Sequence, residues 1–114
     1  MTNQEFYENH IKLLANNDAS ELVESDYHEE ALMILFVAEE PIIVKGKDEL
    51  KVQLENYLSY VYRGFISTEK LEITDDCIFL EATINTTNGI SKVYDALHMK
   101  DGKIFRHFSG LKLF

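Results

Sequence analysis

The sequence predicts an α+β domain in which N-terminal helices pack on a strongly curved, mostly antiparallel sheet. Apolar residues in the first third recur at helical spacing, whereas from residue 67 onward they alternate with polar residues between regular turn signals. The chain has 114 residues, of which 46% are hydrophobic. This length accommodates one core, so we expect residues 1–114 to form a single domain.

The N-terminal segment predicts two helices. The apolar face of the first helix carries Phe6, His10, Leu13 and Leu14. The polar run at residues 16–18 suits a turn followed by a helix N-cap, because Asn and Asp side chains accept hydrogen bonds from free backbone N–H groups. A shorter second helix, with Leu22 and Val23 on its apolar face, is expected to follow.

The middle of the chain predicts two strands and a third helix. Residues 31–38, ALMILFVA, form an apolar run that is too short for a confident helix and is ended by Glu39, Glu40 and Pro41, so we interpret it as a buried strand. Residues 42–44 form a short second strand. A helix is then expected to open at Gly46, and its apolar stripe comprises Leu50, Leu54, Tyr57, Leu58 and Val61.

The last third predicts a four-stranded antiparallel meander beginning at Ser67. Its turn signals fall at residues 75–76, 88–89 and 100–102. Helices would cover one face of this sheet, as in other α+β domains.

Charge and composition exclude several partners. The formal net charge of −9 repels nucleic acid and anionic membrane surfaces. No apolar run approaches the roughly 20 residues that a membrane-spanning helix needs. The single Cys77 cannot form an internal disulfide and no signal sequence is visible, so we expect a cytoplasmic protein.

Turn chemistry predicts which side chains share a face of the sheet. A two-residue turn at residues 88–89 pairs Thr87 with Ile90. The inner face then carries Ile78, Leu80, Ala82 and Ile84 opposite Met99, Leu97, Asp95 and Val93. A two-residue turn at 75–76 extends this face with Leu71 and Ile73 opposite Leu80 and Ile78. Asp95 is therefore the lone ionisable side chain on an apolar surface.

The last hairpin allows two registers. If residues 100–102 form a turn closed by a glycine bulge, Met99 pairs with Lys103 and Asp95 lies opposite His107, with Phe105 and Ser109 on either side of that histidine. A two-residue turn at 101–102 would instead place Phe108 opposite Asp95. The pairing of Asp95 with His107 depends on this choice.

The opposite face of the meander mixes aromatic and charged side chains. It carries Phe79, Glu81, Thr83, Tyr94, Ala96, His98, Arg106 and Phe108. Such a mixture is typical of a partly buried interface. We therefore expect a homodimer through this outer sheet face.

Three runs carry a resemblance to a known family: LVESDYHEEALMIL, then GKDEL at the start of a helix, and VYDALHMKDGKIFRHF near the end. They resemble the nuclear transport factor 2-like superfamily, which includes ketosteroid isomerase and the SnoaL-like polyketide cyclases. The resemblance covers nearly the whole chain and implies the cystatin-like cone of that family. Its motifs are diffuse, and the superfamily contains enzymes, ligand binders and association modules alike.

The resemblance also implies roles for individual residues. Asp95 matches the protonated oxyanion-hole acid of ketosteroid isomerase, and His10 falls where that enzyme has its oxyanion-hole tyrosine. Leu35 stands where the general base of that enzyme is expected, so the familiar isomerase mechanism lacks its proton acceptor. SnoaL-like cyclases are similar in using a pocket Asp with nearby polar side chains, which suits Asp95 and His107 better.

Two states of Asp95 follow from its surroundings. If His107 is close, the two groups can share a proton and act as acid and base near neutral pH. If His107 is distant, a neutral Asp95 would donate a hydrogen bond to a ligand oxygen. The walls of the pocket are expected to comprise Leu35, Tyr57, Leu80, Ala82, Val93, Leu97, Phe105 and Ser109.

Two kinds of function fit this sequence. One is an isomerase, cyclase or dehydratase that acts without a cofactor on a small apolar carbonyl compound, with Asp95, His107 and His10 as catalytic residues. The other is a non-catalytic module that binds a small apolar ligand or forms a homodimer. No phosphate-binding loop is present, and the acidic cluster at residues 21–30 lacks paired His ligands, so we expect a solvated surface there and no metal.

Overall fold

Three helices and six strands make up the part of the chain that the computed structural model describes, residues 1–112. The elements are α1 (Asn3–Ala15), α2 (Ala19–Asp26), β1 (Tyr27–Phe36), β2 (Ile42–Lys45), α3 (Gly46–Tyr60), β3 (Tyr62–Ile73), β4 (Cys77–Thr86), β5 (Gly89–Lys100) and β6 (Lys103–Leu111). The expected fold class, α+β with N-terminal helices on a mostly antiparallel sheet, is confirmed. The last two residues of the expected domain lie outside the described residues.

Polar side chains begin the first two helices. Thr2 and Glu5 form a capping box, in which each side chain accepts a hydrogen bond from the other residue's backbone N–H. Asp18 caps α2 by accepting from the Glu21 N–H at 3.0 Å, and Asn17 takes the left-handed conformation between the helices with φ of 54°. The predicted turn and N-cap at residues 16–18 are confirmed.

The sheet has the strand order β2-β1-β6-β5-β4-β3, with β1 parallel to β6 and every other pair antiparallel. The predicted meander of four strands is confirmed, although its first strand begins at Tyr62 instead of Ser67. Strand β1 also starts earlier than expected, because Tyr27 already pairs with Ile104 of β6. Residues 28–30 are all polar, so the apolar pattern of the sequence does not indicate this earlier start.

The β3–β4 hairpin and the β4–β5 hairpin differ in how well the sequence predicted them. In the first, Ile73 pairs with Ile78 and Lys70 pairs with Glu81, as predicted. In the second, the turn lies at residues 87–88, one residue earlier than predicted, and Thr86 pairs with Gly89. Gly89 supplies a positive φ of 105° just after the turn and not within it. The register therefore shifts by two residues, which keeps every side chain on its predicted face.

Neither predicted register of the last hairpin is correct. Asp101 and Gly102 form a two-residue turn with φ of 55° and 75°, and Lys100 pairs with Lys103. A bulge at Phe105 then adds one residue, so that Asp95 pairs with Ser109. The turn alone would have put His107 on the outer face, and the bulge returns it to the face of Asp95.

The core lies between the inner face of the sheet and the helices. Helix α1 packs on β3 and β4, α2 on β1 and β6, and α3 on β1, β2 and β3. The largest fully buried side chains are Tyr27, Leu22, Leu50, Ile78, Leu97, Ile104 and Val23. Among residues 1–112, no helix is long and apolar enough to cross a membrane.

A glycine controls how closely β5 and β6 pack on the outer face. Gly110 pairs with Tyr94, and the Tyr94 ring lies where a β-carbon on Gly110 would be. A side chain at this position would overlap that ring. The contact explains why a glycine occupies a strand, where it is otherwise unfavourable.

We predict that Gly110→Ala lowers the free energy of unfolding by about 1–3 kcal/mol, because the added methyl group overpacks against Tyr94. Urea denaturation measures this cost, with Tyr94→Ala and the double variant completing the cycle. In the Tyr94→Ala background most of the cost should vanish. Additive costs for the two substitutions would contradict the explanation.

Candidate functional site

A cavity of about 350 Å³ lies between the helices and the inner face of the sheet. Most of the side chains predicted for its wall are found there: Leu35, Tyr57, Leu80, Val93, Leu97 and Ser109. The three candidate catalytic residues, Asp95, His107 and His10, also line it. One cavity therefore contains ionisable groups from both the helical layer and the sheet.

Two expected wall residues need correction. Ala82 is 2% exposed and belongs to the packed core, outside the cavity lining. Phe105 faces away from the cavity because it is the extra residue of the bulge. Its ring instead contacts the edge of His28, with the ring centroids 5.2 Å apart, and the guanidinium of Arg106 at 3.8 Å.

A chain of hydrogen bonds connects Asp95 with two other residues of the cavity wall. Asp95 Oδ1 lies 2.7 Å from His107 Nε2, and His107 Nδ1 lies 2.8 Å from the Tyr27 hydroxyl. Ser109 is the residue directly opposite Asp95, so the His107 side chain contacts Asp95 diagonally across the strand pair. The proximity of Asp95 and His107 is thus obtained through a register that the sequence did not predict.

Tyr27 occupies the centre of this arrangement. It is the first residue of β1 and is 1% exposed. Its ring centroid lies 6.0 Å from that of His107 on the sheet and 6.3 Å from that of His10 on α1. Tyr27 was not among the site residues expected from the sequence, whereas in the structure its hydroxyl is part of the polar chain.

A second imidazole–carboxylate pair borders the same cavity. His10 Nδ1 lies 2.7 Å from Asp26 Oδ2, and the two residues are 8% and 5% exposed. The Ser25 hydroxyl donates to the other carboxylate oxygen, Oδ1, at 2.9 Å. With Nδ1 bound to Asp26, Nε2 is the remaining ring nitrogen of His10 that a ligand can use.

Asp26 corrects the expectation that the acidic residues 21–30 form a solvated surface. The buried residues of α2 are Ala19, Leu22, Val23 and Asp26, which recur at positions i, i+3, i+4 and i+7. Helical periodicity alone would therefore have been enough to place Asp26 on the apolar stripe of α2. The same spacing could have identified Tyr7, because Tyr7, His10, Ile11 and Leu14 all line the cavity from α1.

Three tyrosine hydroxyls of the cavity wall have raised pKa values, so all three stay protonated at neutral pH. Burial raises the pKa of Tyr27 well above its ordinary value, and the carboxylates of Asp95 and Asp26 raise it further. Burial, and then the charge of Asp95, raises the pKa of Tyr57 as well. The pKa of Tyr7 is also raised, by burial first, although its hydrogen bond with Thr68 works in the opposite direction.

No metal ligand set accompanies these groups. Within residues 1–112, no group of three or more His, Cys, Asp or Glu side chains could hold a metal ion. The cavity offers proton donors and acceptors set in a largely apolar wall.

Comparisons with known proteins identify the fold through structure and not through sequence. No family model matches the chain, and no curated protein matches it. Solved structures match it closely along nearly the whole length.

One match is a nuclear transport factor 2-like protein of unknown function from Mesorhizobium loti, with a TM-score of 0.80, 12% identity, and coverage of 96% of this chain and 90% of that chain. A candidate SnoaL-like polyketide cyclase from the same organism has a TM-score of 0.74 and 18% identity, over 96% of this chain and 98% of its own. A candidate isomerase from Bacillus subtilis has a TM-score of 0.76 and 15% identity, over 95% and 84% of the two chains.

These identities are too low to transfer an activity or a site residue, but the agreement in structure covers the whole arrangement of helices and strands. The likeness expected from the runs around Tyr27, Gly46 and Asp95 is confirmed at this level. The chain has the nuclear transport factor 2-like fold.

Proposed function

We propose that this protein binds a small apolar carbonyl compound in the cavity and acts on it as a SnoaL-like enzyme of isomerase, cyclase or dehydratase type, with Asp95 as the proton acceptor. The proposal needs no cofactor. It rests on the hydrogen-bond chain Tyr27–His107–Asp95, from which we infer which atoms of these three side chains carry protons.

The proton positions follow from counting donors. The Tyr27 hydroxyl keeps its proton, because burial raises its pKa, and its one hydrogen-bond partner among the described residues is His107 Nδ1. If Tyr27 donates to Nδ1, the neutral His107 ring carries its proton on Nε2 and donates it to Asp95 Oδ1. In this arrangement every donor is used, and the proposal assigns Asp95 as the carboxylate that accepts from His107.

The second oxygen of Asp95 is then available to a ligand. No hydrogen bond within residues 1–112 reaches Asp95 Oδ2, and the Asp95 side chain is 20% exposed. A carboxylate oxygen in an apolar cavity can accept a proton from the carbon beside a ligand carbonyl. Leu35, which lines the same cavity, provides no proton acceptor at the position where the resemblance expects one, so Asp95 takes that role in the proposal.

The proposed step is an enolisation. The C–H bond next to the carbonyl breaks and its proton moves to Asp95 Oδ2, while the electron pair forms the C=C bond of an enol. The carbonyl oxygen receives a proton from His10 Nε2. In a ketone whose enol is conjugated with a second C=C bond, return of the proton to the far end of the conjugated system would complete an isomerisation.

Asp95→Asn tests this step. The amide cannot accept the proton, and we expect exchange of the α-hydrogens of 1-indanone for deuterium in D₂O, followed by NMR, to slow by about 10²-fold or more. 1-Indanone is a suitable probe because it is small, apolar and enolisable.

The matched control is Asp75→Asn, which makes the same change of charge at an exposed turn. It should exchange the ketone at the wild-type rate. Exchange by the wild-type protein no faster than in buffer, or equal rates for wild type and Asp95→Asn, would remove the proposal.

The pH dependence of the stability of Tyr27→Phe tests whether the Tyr27 hydroxyl keeps its proton in the folded protein. The folded protein holds the Tyr27 proton more tightly than the unfolded chain does, because its pKa is raised. Its contribution to stability is therefore complete below about pH 10, the ordinary pKa of tyrosine, and is lost as the pH rises further. We expect the urea midpoint of Tyr27→Phe to fall less than that of wild type between about pH 9 and pH 11.

At pH 8 the same variant should lose about 1–3 kcal/mol, because His107 Nδ1 is left without its donor. Tyr60→Phe is the control, since Tyr60 is 71% exposed and lies outside the cavity lining. A Tyr27→Phe profile parallel to that of wild type would show that Tyr27 ionises as readily in the folded state as in the unfolded one.

A homodimeric association module is the alternative function. Phe79, Tyr94 and Phe108 on the outer sheet face are each partly exposed, and the same face carries the half-buried cation of Arg106. Aromatic residues and Arg are enriched at the centre of protein interfaces. This composition supports the proposal that two copies pair through the outer face.

We expect wild-type protein to be a dimer by light scattering at micromolar concentration and Phe79→Glu to be a monomer, because the new charge would be buried without a partner. Ile90→Glu is the control, since Ile90 is 70% exposed at a hairpin end. A wild-type protein that stays monomeric at high concentration would contradict the proposed dimer.

The cytoplasmic location expected from the lone Cys77 stays a prediction.

A further inference from the structure

The His10–Asp26 pair stands apart from the Tyr27–His107–Asp95 chain. It joins α1 to the end of α2, and the His10 and Asp26 side chains are 10% and 7% exposed. No hydrogen bond within residues 1–112 links this pair to His107 or Asp95. The Tyr27–His107–Asp95 chain therefore lines the cavity from the sheet, while the His10–Asp26 pair contributes only His10 to the cavity wall, from the helical layer.

The geometry limits what His10 can do. Its Nδ1 is committed to Asp26. When Asp26 is a carboxylate, Nδ1 must carry a proton, so Nε2 can donate to a ligand only when both ring nitrogens are protonated. Such a ring is a cation in a largely apolar wall, and a buried charge without a partner is strongly unfavourable. Asp26 provides the opposite charge at 2.7 Å.

Asp26 is itself held in place. Its Oδ2 faces His10 Nδ1 and its Oδ1 accepts from the Ser25 hydroxyl, so both oxygens have a donor. A carboxylate with two fixed hydrogen bonds holds its partner ring in one orientation. The ionisable groups around His10 are then Asp26 from α2 and Tyr27 from β1, with Asp95 and His107 on the sheet side of the cavity.

We propose that Asp26 is a positioning residue that holds His10 protonated on both nitrogens, with Nε2 directed at the oxygen of the ligand. This inference rests on the proposed function and extends it to the ligand. The ligand must present an oxygen acceptor to α1 and an acidic C–H to Asp95, as an apolar enolisable ketone or aldehyde does. His10 and Asp95 then act on two different atoms of one molecule.

A second cavity gives access to Asp26 from its other side. It has a volume of about 430 Å³, and Asp26, Ser25, Asn9, Lys12 and Asn16 contribute to its wall, whereas His10 does not. A small carboxylate such as formate can therefore reach the position of Asp26 without entering the ligand cavity. Chemical rescue is a practical test for this reason.

Asp26→Asn and Asp26→Ala test the inference with 1-indanone as the probe. The amide of Asn can still accept a hydrogen bond from Nδ1 but carries no charge. We expect deuterium exchange at saturating ketone to slow by at least about tenfold in both variants, while the ketone concentration for half-saturation changes by less than about twofold, since uniform binding is retained. Formate should restore exchange in Asp26→Ala and leave Asp26→Asn, whose site is filled, unchanged.

Glu21→Gln is the matched control, because Glu21 lies exposed on the same helix and outside both cavities. It should behave as wild type, and urea denaturation should show that all variants are folded. Wild-type rates in Asp26→Asn, or no rescue of Asp26→Ala by formate, would overturn the role of Asp26 and leave the role of Asp95 intact.

A measurement without ligand separates the two proposals if wild-type protein does not exchange the ketone. Nitrogen-15 NMR reports which nitrogens of His10 carry protons. We expect both to be protonated in wild type at neutral pH and a neutral ring in Asp26→Asn. A neutral His10 ring in the wild-type protein would overturn the inference whatever the ketone assay shows.

Discussion

The hydrogen bond between the Tyr27 hydroxyl and His107 is the interaction on which the cavity depends. Tyr27 is the first residue after α2, and it pairs with Ile104 where β1 joins β6. The bond therefore connects the end of α2 with the strand that carries His107. In the proposed function it also selects the tautomer of His107 that donates to Asp95. The packing of β1 against β6 and the proposed proton transfer thus both depend on the buried hydrogen bond between Tyr27 and His107.

The cavity tolerates its histidine and aspartate side chains because each of them is hydrogen-bonded to another side chain. Among residues 1–112, no buried side-chain nitrogen or oxygen lacks a hydrogen-bond partner. Burying a polar group costs little when its hydrogen bonds are made and much when they are not. Asp95 and Asp26 are each bonded to a histidine, so the surrounding leucine, valine and isoleucine side chains can exclude water without leaving a charge unpaired. An apolar ligand and a reactive carboxylate can then occupy the same space.

The last hairpin shows how far periodicity predicts a site. The alternation of Val93, Asp95 and Leu97 placed Asp95 on the inner face, and the structure agrees. One of the two predicted registers brought His107 near Asp95 through a three-residue turn, whereas the proximity arises from a two-residue turn followed by a bulge at Phe105. A bulge has no fixed sequence signature, because it depends on how the strand packs on its neighbours. Phe105 was assigned to the wrong face for this reason.

The sequence by itself determined the order of helices and strands and the face on which Asp95 lies, because both follow from the spacing of apolar residues and from local turn residues. It also contained the helical spacing that buries Asp26. Only the tertiary structure decided that Asp26 bonds to His10 and that Tyr27 bonds to His107, since these pairs are 16 and 80 residues apart. Hydrogen-bond partners at such separations depend on how helices pack on the curved sheet, which local periodicity does not specify.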